Sequence, residues 1–391
     1  MIIVSFIQAV TAGSILVKAC LAANTAIQIF NGPYGVGTAT AELINTKMLD
    51  PYAPTKQDRR LMVSAFYPVA EIAGCQHTNV SYMPAGTAAV YDQEYGAAGL
   101  PNGTFEALHL ALCGNTLPQN PLKNKYPLAI FSPGLGFSRL IYSSFAASLA
   151  AQGYVVVTVD HPYDADVVEF PNGDLVMAAN INDSDVSQLN TAVAVRTKDL
   201  SFVMDQMRNR TVTRSLLQKV YGKMNPSQTF VFGHSIGGAA AAETMLQDHR
   251  PLAGVNLDGT LFGQVVSEGL DKPFMFFEHD GKNQSTEATW ASIWTHLNSS
   301  KVQMTVVGSQ HGTFTDFPII FDTLGLRALI PSQELTPLIG SVKGERILTI
   351  VTTYVNAFFQ FVLGHPPAPL LQQASPTFPD VVVANSTLTK R

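Results

Sequence analysis

One serine stands between two glycines at Gly233-His234-Ser235-Ile236-Gly237, in the pattern G-x-S-x-G. A chain this long carries on the order of 0.1–0.2 such matches by chance at ordinary glycine content, so the flanks decide its meaning. The apolar run Thr229 to Phe232 leads into it, and the alanine-rich run Gly238 to Ala242 leads out. That order predicts a strand, a sharp turn and a helix, with Ser235 at the elbow. Side chains two positions either way would collide with so cramped a backbone; glycines relieve the clash and leave the hydroxyl exposed. The helix start adds free amides and a positive dipole end beside any developing negative charge. The alternative at these residues is a plain packing turn.

A serine hydroxyl attacks a carbonyl only when a base removes its proton, and the base needs an orienting carboxylate. Five histidines follow Ser235: His249, His279, His296, His311 and His365. His249 ends the helix after the elbow, His296 sits in a helical stretch, and His365 precedes a Pro-rich run; these read as surface or packing residues. His311, in "VQMTVVGSQHGTF", lies just past the last predicted strand, where a loop histidine can swing over the serine. Two aspartates suit the third role. Asp258 ends "AGVNLDG" and Asp280 ends "PFMFFEHDG", each at a strand end before a glycine. The oxyanion of acyl transfer needs two aligned donors. The Ile236 amide is one, and the Leu135 amide in "SPGLGFSR" is the other, because that loop follows an earlier strand.

The elements that must position these residues alternate along the chain. "YPLAIFSPG" (126–134) reads as a buried strand, 139–153 as a helix ending at Gly153, and "YVVVTVD" (154–160) as a further strand. A hairpin turns at Pro171-Asn172-Gly173-Asp174, and a long helix runs from about 189 to 207. Four more strands are predicted at "TFVFGHS", "AGVNLDG", "KPFMFFEHD" and "VQMTVVGSQHG", and a last helix over 346–363. Short, continuously apolar strands separated by helices imply a mostly parallel central sheet with helices on both faces, and functional residues at the strands' carboxyl ends. With the elbow, this is the expectation of an α/β-hydrolase fold. The Gly/Pro/Asn-rich stretch 74–104 reads as loops and turns.

Composition bounds the rest. The chain has 391 residues, 46% hydrophobic and only 14% charged, against about 25% charged in ordinary soluble domains. Its net charge of −5 comes without a basic stripe, which argues against a nucleic-acid partner. Residues 1–23 form an apolar run ending in small residues and read as a signal peptide. Residues 24–365 read as one catalytic domain, and 366–391 as a Pro-rich, extended tail. Removing Cys20 with the leader leaves Cys75 and Cys113, a pair for one disulfide in an oxidising compartment. Seven N-x-S/T sequons, at Asn79, Asn102, Asn182, Asn209, Asn283, Asn298 and Asn385, suit a secreted glycoprotein.

Four segments together resemble the platelet-activating factor acetylhydrolase family of secreted, calcium-independent phospholipase A2-like esterases and its fungal relatives. They are "PLAIFSPGLGFSRLIYSSFAASLAAQGYVVVTVDH", "FVFGHSIGG", "VNLDGTLF" and "GSQHGTFTDF", spread over about 60–320. The resemblance implies Ser235 as nucleophile, His311 as base, Asp258 rather than Asp280 as the acid, and Leu135 and Ile236 as oxyanion donors. Two segments depart from it. Ser132-Pro133-Gly134 stands where the family shows a histidine, a sequence similar to bacterial cutinases and polyester hydrolases, whose acid falls where Asp280 does. His161-Pro162-Tyr163 replaces a charged run of the animal members. The expected function is a secreted serine esterase acting on short acyl esters such as sn-2 acetyl phospholipids, with no metal or organic cofactor. The alternatives are a cutinase-like or natural-product esterase, including acyl transfer, and a non-catalytic binding protein on the same fold. The expected partner is a small-molecule or lipid ester substrate, with a lipid surface as a candidate peripheral contact; the oligomeric state does not follow from the sequence.

Overall fold

The computed structural model describes residues 25–69, 77–97, 100–113 and 125–389. The expected leader, 1–23, and Cys75 lie outside the described residues.

The strands are β1 Thr25–Ile27, β2 Gly35–Leu49, β3 Asp58–Val69, β4 His77–Ser81, β5 Leu108–Cys113, β6 Tyr126–Ser132, β7 Val155–Asp160, β8 Val167–Glu169, β9 Leu175–Met177, β10 Met224–His234, β11 Pro251–Leu257, β12 Phe274–His279, β13 Lys301–Val306 and β14 Val381–Thr387. The longer helices are α1 Ala85–Ala97, α2 Ser143–Ala151, α3 Val186–Arg208, α4 Ile236–Gln247, α5 Ala288–His296, α6 Ser332–Ile339 and α7 Gly344–Val362. Nine strands form the main sheet, in the order β14-β13-β12-β11-β10-β6-β7-β3-β2. The six from β13 to β7 run parallel. Antiparallel strands close both edges: β14 beside β13, and β3 and β2 beyond β7.

Successive strand residues point to opposite faces, and the parallel strands are apolar on both, as a sheet covered twice requires. Phe230 and Phe232 of β10 enter the layer under α2 and α7, with Phe145, Tyr354 and Phe359. Val231 between them joins Leu200, Met204, Ala240 and Met245 of α3 and α4 on the other side.

Two segments differ from their sequence expectation. The stretch 74–104 contains the helix α1, whose Ala88, Tyr91 and Tyr95 are buried along one side; that spacing is helical, although Pro84, Gly86 and Gly96 punctuate it. Residues 366–391 contribute β14, which pairs with β13 from Val306↔Val381 to Lys301↔Thr387. Their Leu371, Phe378 and Val381 are buried.

Candidate active site

The β10–α4 junction is the elbow the glycines announced. Ser235 has φ 57 and ψ −130, a backbone region a non-glycine residue enters at a cost of roughly 1–3 kcal/mol. A Cβ at Gly237 would lie 2.0 Å from the Ser132 carbonyl oxygen, and one at Gly233 2.3 Å from the Gly237 carbonyl carbon. Larger residues would therefore push the turn away from β6. Ser235 is held to the next strand by its own N–H, which donates to the Leu257 carbonyl at 2.9 Å.

Asp258, one residue past β11, is buried and also has a positive φ of 60. Its Oδ2 accepts from His311 Nδ1 at 2.5 Å. A second imidazole shares it, since His279 Nδ1 lies 2.9 and 2.8 Å from the two carboxylate oxygens and the His279 N–H 3.1 Å from Oδ1. Lys282 Nζ donates to the Asp258 carbonyl at 2.8 Å and stands 3.8 Å from Oδ1. Burial works to raise the Asp258 pKa, but hydrogen bonds from His279 and His311 and the Lys282 charge outweigh it and hold the carboxyl well below its ordinary range. Asp280 is exposed, and its carboxylate accepts from the Gly308 N–H at 2.9 Å. The structure thus brings Asp258, not Asp280, to His311. His279 is a site residue that sequence reading passed over: it belongs to the same "FEHD" strand end as Asp280 and has no spacing signature of its own.

Ser235, His311, Asp258 and His279 border one cavity of about 1040 Å³. Leu135, Phe137, Leu189, Ile236, Phe262 and Leu338 give it apolar walls, and Asn180, Asn182, Thr260 and Lys282 a polar side. Ser235 Oγ and His311 Nε2 make no hydrogen bond among the described residues, a contact that commonly closes only with substrate bound. Ile236 is the first residue of α4, so its N–H has no intrahelical acceptor.

A chain of hydrogen bonds ties the Gly134 loop to the His311 loop. His234 Nε2 lies 3.0 Å from the His311 carbonyl, which can only accept, so that nitrogen carries the proton. Burial and the neighbouring His311 hold the His234 pKa well down. The ring is therefore neutral, and its Nδ1 accepts from Tyr142 Oη at 2.9 Å; the Gly134 N–H in turn donates to Tyr142 Oη at 3.0 Å. The second residue of the G-x-S-x-G motif is thus a buried strut between the two loops.

Asp258, His279 and His311 also bring ligand-type atoms within 4.8 Å of one another, a spacing a metal ion could use. Their mutual hydrogen bonds account for the cluster, and Lys282 already supplies a cation beside it. Cys113 is in a disulfide. Six of the sequon asparagines (79, 102, 182, 209, 298 and 385) are exposed and Asn283 is half-buried. No helix among the described residues is long and apolar enough to cross a membrane.

Comparison with known proteins gives four findings. Residues 21–341 match the family model described as platelet-activating factor acetylhydrolase, isoform II. A probable 1-alkyl-2-acetylglycerophosphocholine esterase of Arthroderma benhamiae is 31% identical over 370 residues, 90% of this chain and 92% of that protein. A platelet-activating factor acetylhydrolase of Cavia porcellus is 28% identical over 63% of this chain and 60% of its own length. Among solved structures, a ferulic acid esterase from Streptomyces cinnamoneus superposes with a TM-score of 0.77 at 30% identity, covering 93% of this chain and 100% of its own.

Proposed function

The chain belongs to the platelet-activating factor acetylhydrolase family, isoform II, and is a carboxylic ester hydrolase; from that premise we propose that Ser235, His311 and Asp258 carry out its acyl transfer. The observation that supports this most is the 2.5 Å contact of His311 Nδ1 with the buried Asp258 carboxylate, at the cavity onto which Ser235 opens. With Nδ1–H donated to Asp258, the neutral imidazole presents Nε2 as a base. Ser235 Oγ attacks the ester carbonyl as Nε2 takes its proton, and the Leu135 and Ile236 amides receive the oxyanion. The imidazolium then protonates the departing alcohol, and water, activated the same way, releases the acid from Ser235.

The substrate class we favour is the short-chain ester of a glycerophospholipid, with acetyl at sn-2, as the name of the Arthroderma relative suggests. A second reading has its own support: about 1040 Å³ is at the upper end for a small-molecule pocket, and the full-length structural neighbour is a ferulic acid esterase. The cavity is roomy enough for an aromatic acyl group. Exposed sequons and the Cys113 disulfide support our assignment of the protein to an extracellular setting.

The test compares kcat/KM on p-nitrophenyl esters from acetyl to palmitoyl, on a 2-acetyl phospholipid and on methyl ferulate, with Ser235→Ala as control. Acetyl esters should lead, and the variant should retain no more than about one part in 10³ of the rate. An active Ser235→Ala sinks the mechanism. A lead for methyl ferulate or for long chains sinks the acetyl assignment.

A further inference from the structure

A single buried arginine grips the oxyanion loop from behind. Arg196, on α3 and 1% exposed, donates through Nη1 to the Pro133 carbonyl and, at 3.0 Å, to Ser132 Oγ. Its Nη2 donates to the Gly134 carbonyl at 3.2 Å. The Asp164 carboxylate fixes the guanidinium in turn, accepting from Nε at 2.7 Å and from Nη2. The Phe137 N–H adds a second donor to the Gly134 carbonyl at 3.3 Å, and the Gly136 N–H donates to the Asp164 carbonyl at 3.0 Å.

The consequence is stereochemical. A trans peptide points its C=O and N–H in opposite directions, and no described peptide bond is cis. Because the Gly134 carbonyl is drawn back to Arg196, the Leu135 N–H is directed away from it, and Leu135 borders the cavity. Glycine at 134 gives this peptide little intrinsic resistance to flipping. A flip would aim the carbonyl oxygen, not the amide, at a negatively charged intermediate.

Behind Arg196 lies a second serine–histidine–aspartate series. Ser132 Oγ is 2.9 Å from His161 Nε2, and His161 Nδ1 is 2.8 Å from Asp199 Oδ2, which Arg59 holds at 2.7 Å. It copies the bond order of a nucleophilic triad, but Ser132, His161 and Asp199 are 0%, 1% and 0% exposed. Ser132 Oγ also receives the Arg196 N–H. This series is a brace, not a second active site.

We propose that Arg196 is a positioning residue for the reaction, which presets the Leu135 amide for the oxyanion by holding the Gly134 carbonyl. The proposal rests on the oxyanion role given above to Leu135.

The test uses Arg196→Lys and Asp164→Asn in the full chain, with four measurements: kcat and KM on p-nitrophenyl acetate, affinity for a trifluoromethyl ketone that forms an oxyanion on serine, affinity for the matching ether, and Tm. In folded Arg196→Lys, kcat should fall about ten- to a hundred-fold with KM within about two-fold. Ketone affinity should fall by the same factor as kcat while ether affinity stays level. If Arg196→Lys does not fold, Asp164→Asn should show a smaller loss of the same pattern. Equal losses for ketone and ether would mean a deformed cavity and overturn the proposal, as would a folded variant binding the ketone like wild type. Hydrolysis surviving in Ser235→Ala would instead bring down the reading beneath it.

Discussion

Asp258 serves two imidazoles at once, and that shapes what its removal should do. Replacing it with Asn leaves one acceptor where the carboxylate has two, so the NH2 opposes either the Nδ1–H of His311 and His279 or the His279 N–H, and His311 loses its fixed tautomer and orientation. Asp258→Asn should lower kcat by three to four orders of magnitude, about the loss seen when a triad acid becomes an amide. Asp280→Asn still offers Gly308 an acceptor and should stay within about two-fold of wild type. Parallel kcat measurements check both, and the deeper loss falling on Asp280→Asn would reverse the assignment. His311 and Ser235 were legible because a loop histidine past the last strand and a serine in an elbow motif each have few alternatives. The carboxylate partner of His311 was not legible from the residues alone: Asp258 and Asp280 both end a strand before glycine, and only the family resemblance preferred one. Arg196 gave no signal at all, since an arginine within a helix reads as a solvated face until its buried carboxylate partner is known.

Among the elements, the segment that follows His311 is tied to helix α2 and to Tyr82 by a buried carboxyl. Asp316, five residues after His311, accepts from Tyr82 Oη and the Ser144 N–H, each at 2.8 Å, while its Oδ1 has no partner among the described residues. Burial raises its pKa to about 7 against the opposing hydrogen bonds from Ser144 and Tyr82. A carboxyl raised above its unfolded value near 4 binds its proton more tightly when folded. Its contribution to stability is therefore full below pH 4 and is lost as pH rises through about 7. Asp316→Asn stays neutral and keeps an acceptor for both donors. Its Tm should gain on wild type as pH goes from 6 to 9; parallel Tm–pH curves would show that the carboxyl does not titrate in this range. The parallel strands and their helices were readable from unbroken apolar runs and the turns between them. Helix α1 was not, because Gly86 and Gly96 hid the helical spacing of Ala88, Tyr91 and Tyr95.

At the scale of the whole molecule, the sheet ends in a strand drawn from the far end of the chain. β14 covers the edge of β13, next to the strand that carries His279, and Arg346 of α7 clamps it through Asp380 at 2.7 and 2.6 Å. A Pro-rich composition hid this, since Pro366, Pro367, Pro369, Pro376 and Pro379 all precede the strand and none lies in it. Burying side chains such as Leu371, Phe378 and Val381 is worth about 1.5–3 kcal/mol each, which together is comparable with the ~5–15 kcal/mol net stability of a domain. Removal would also bare the backbone donors and acceptors of β13, an open template for pairing between chains. Deletion of 366–391 should therefore give a protein that aggregates or melts at least about 10 °C lower, whereas Asp380→Asn, which only weakens the clamp, should lose a few degrees and keep its kcat. Light scattering and thermal unfolding of the two variants decide it: a soluble deletion melting with wild type would make the strand dispensable to the sheet it completes.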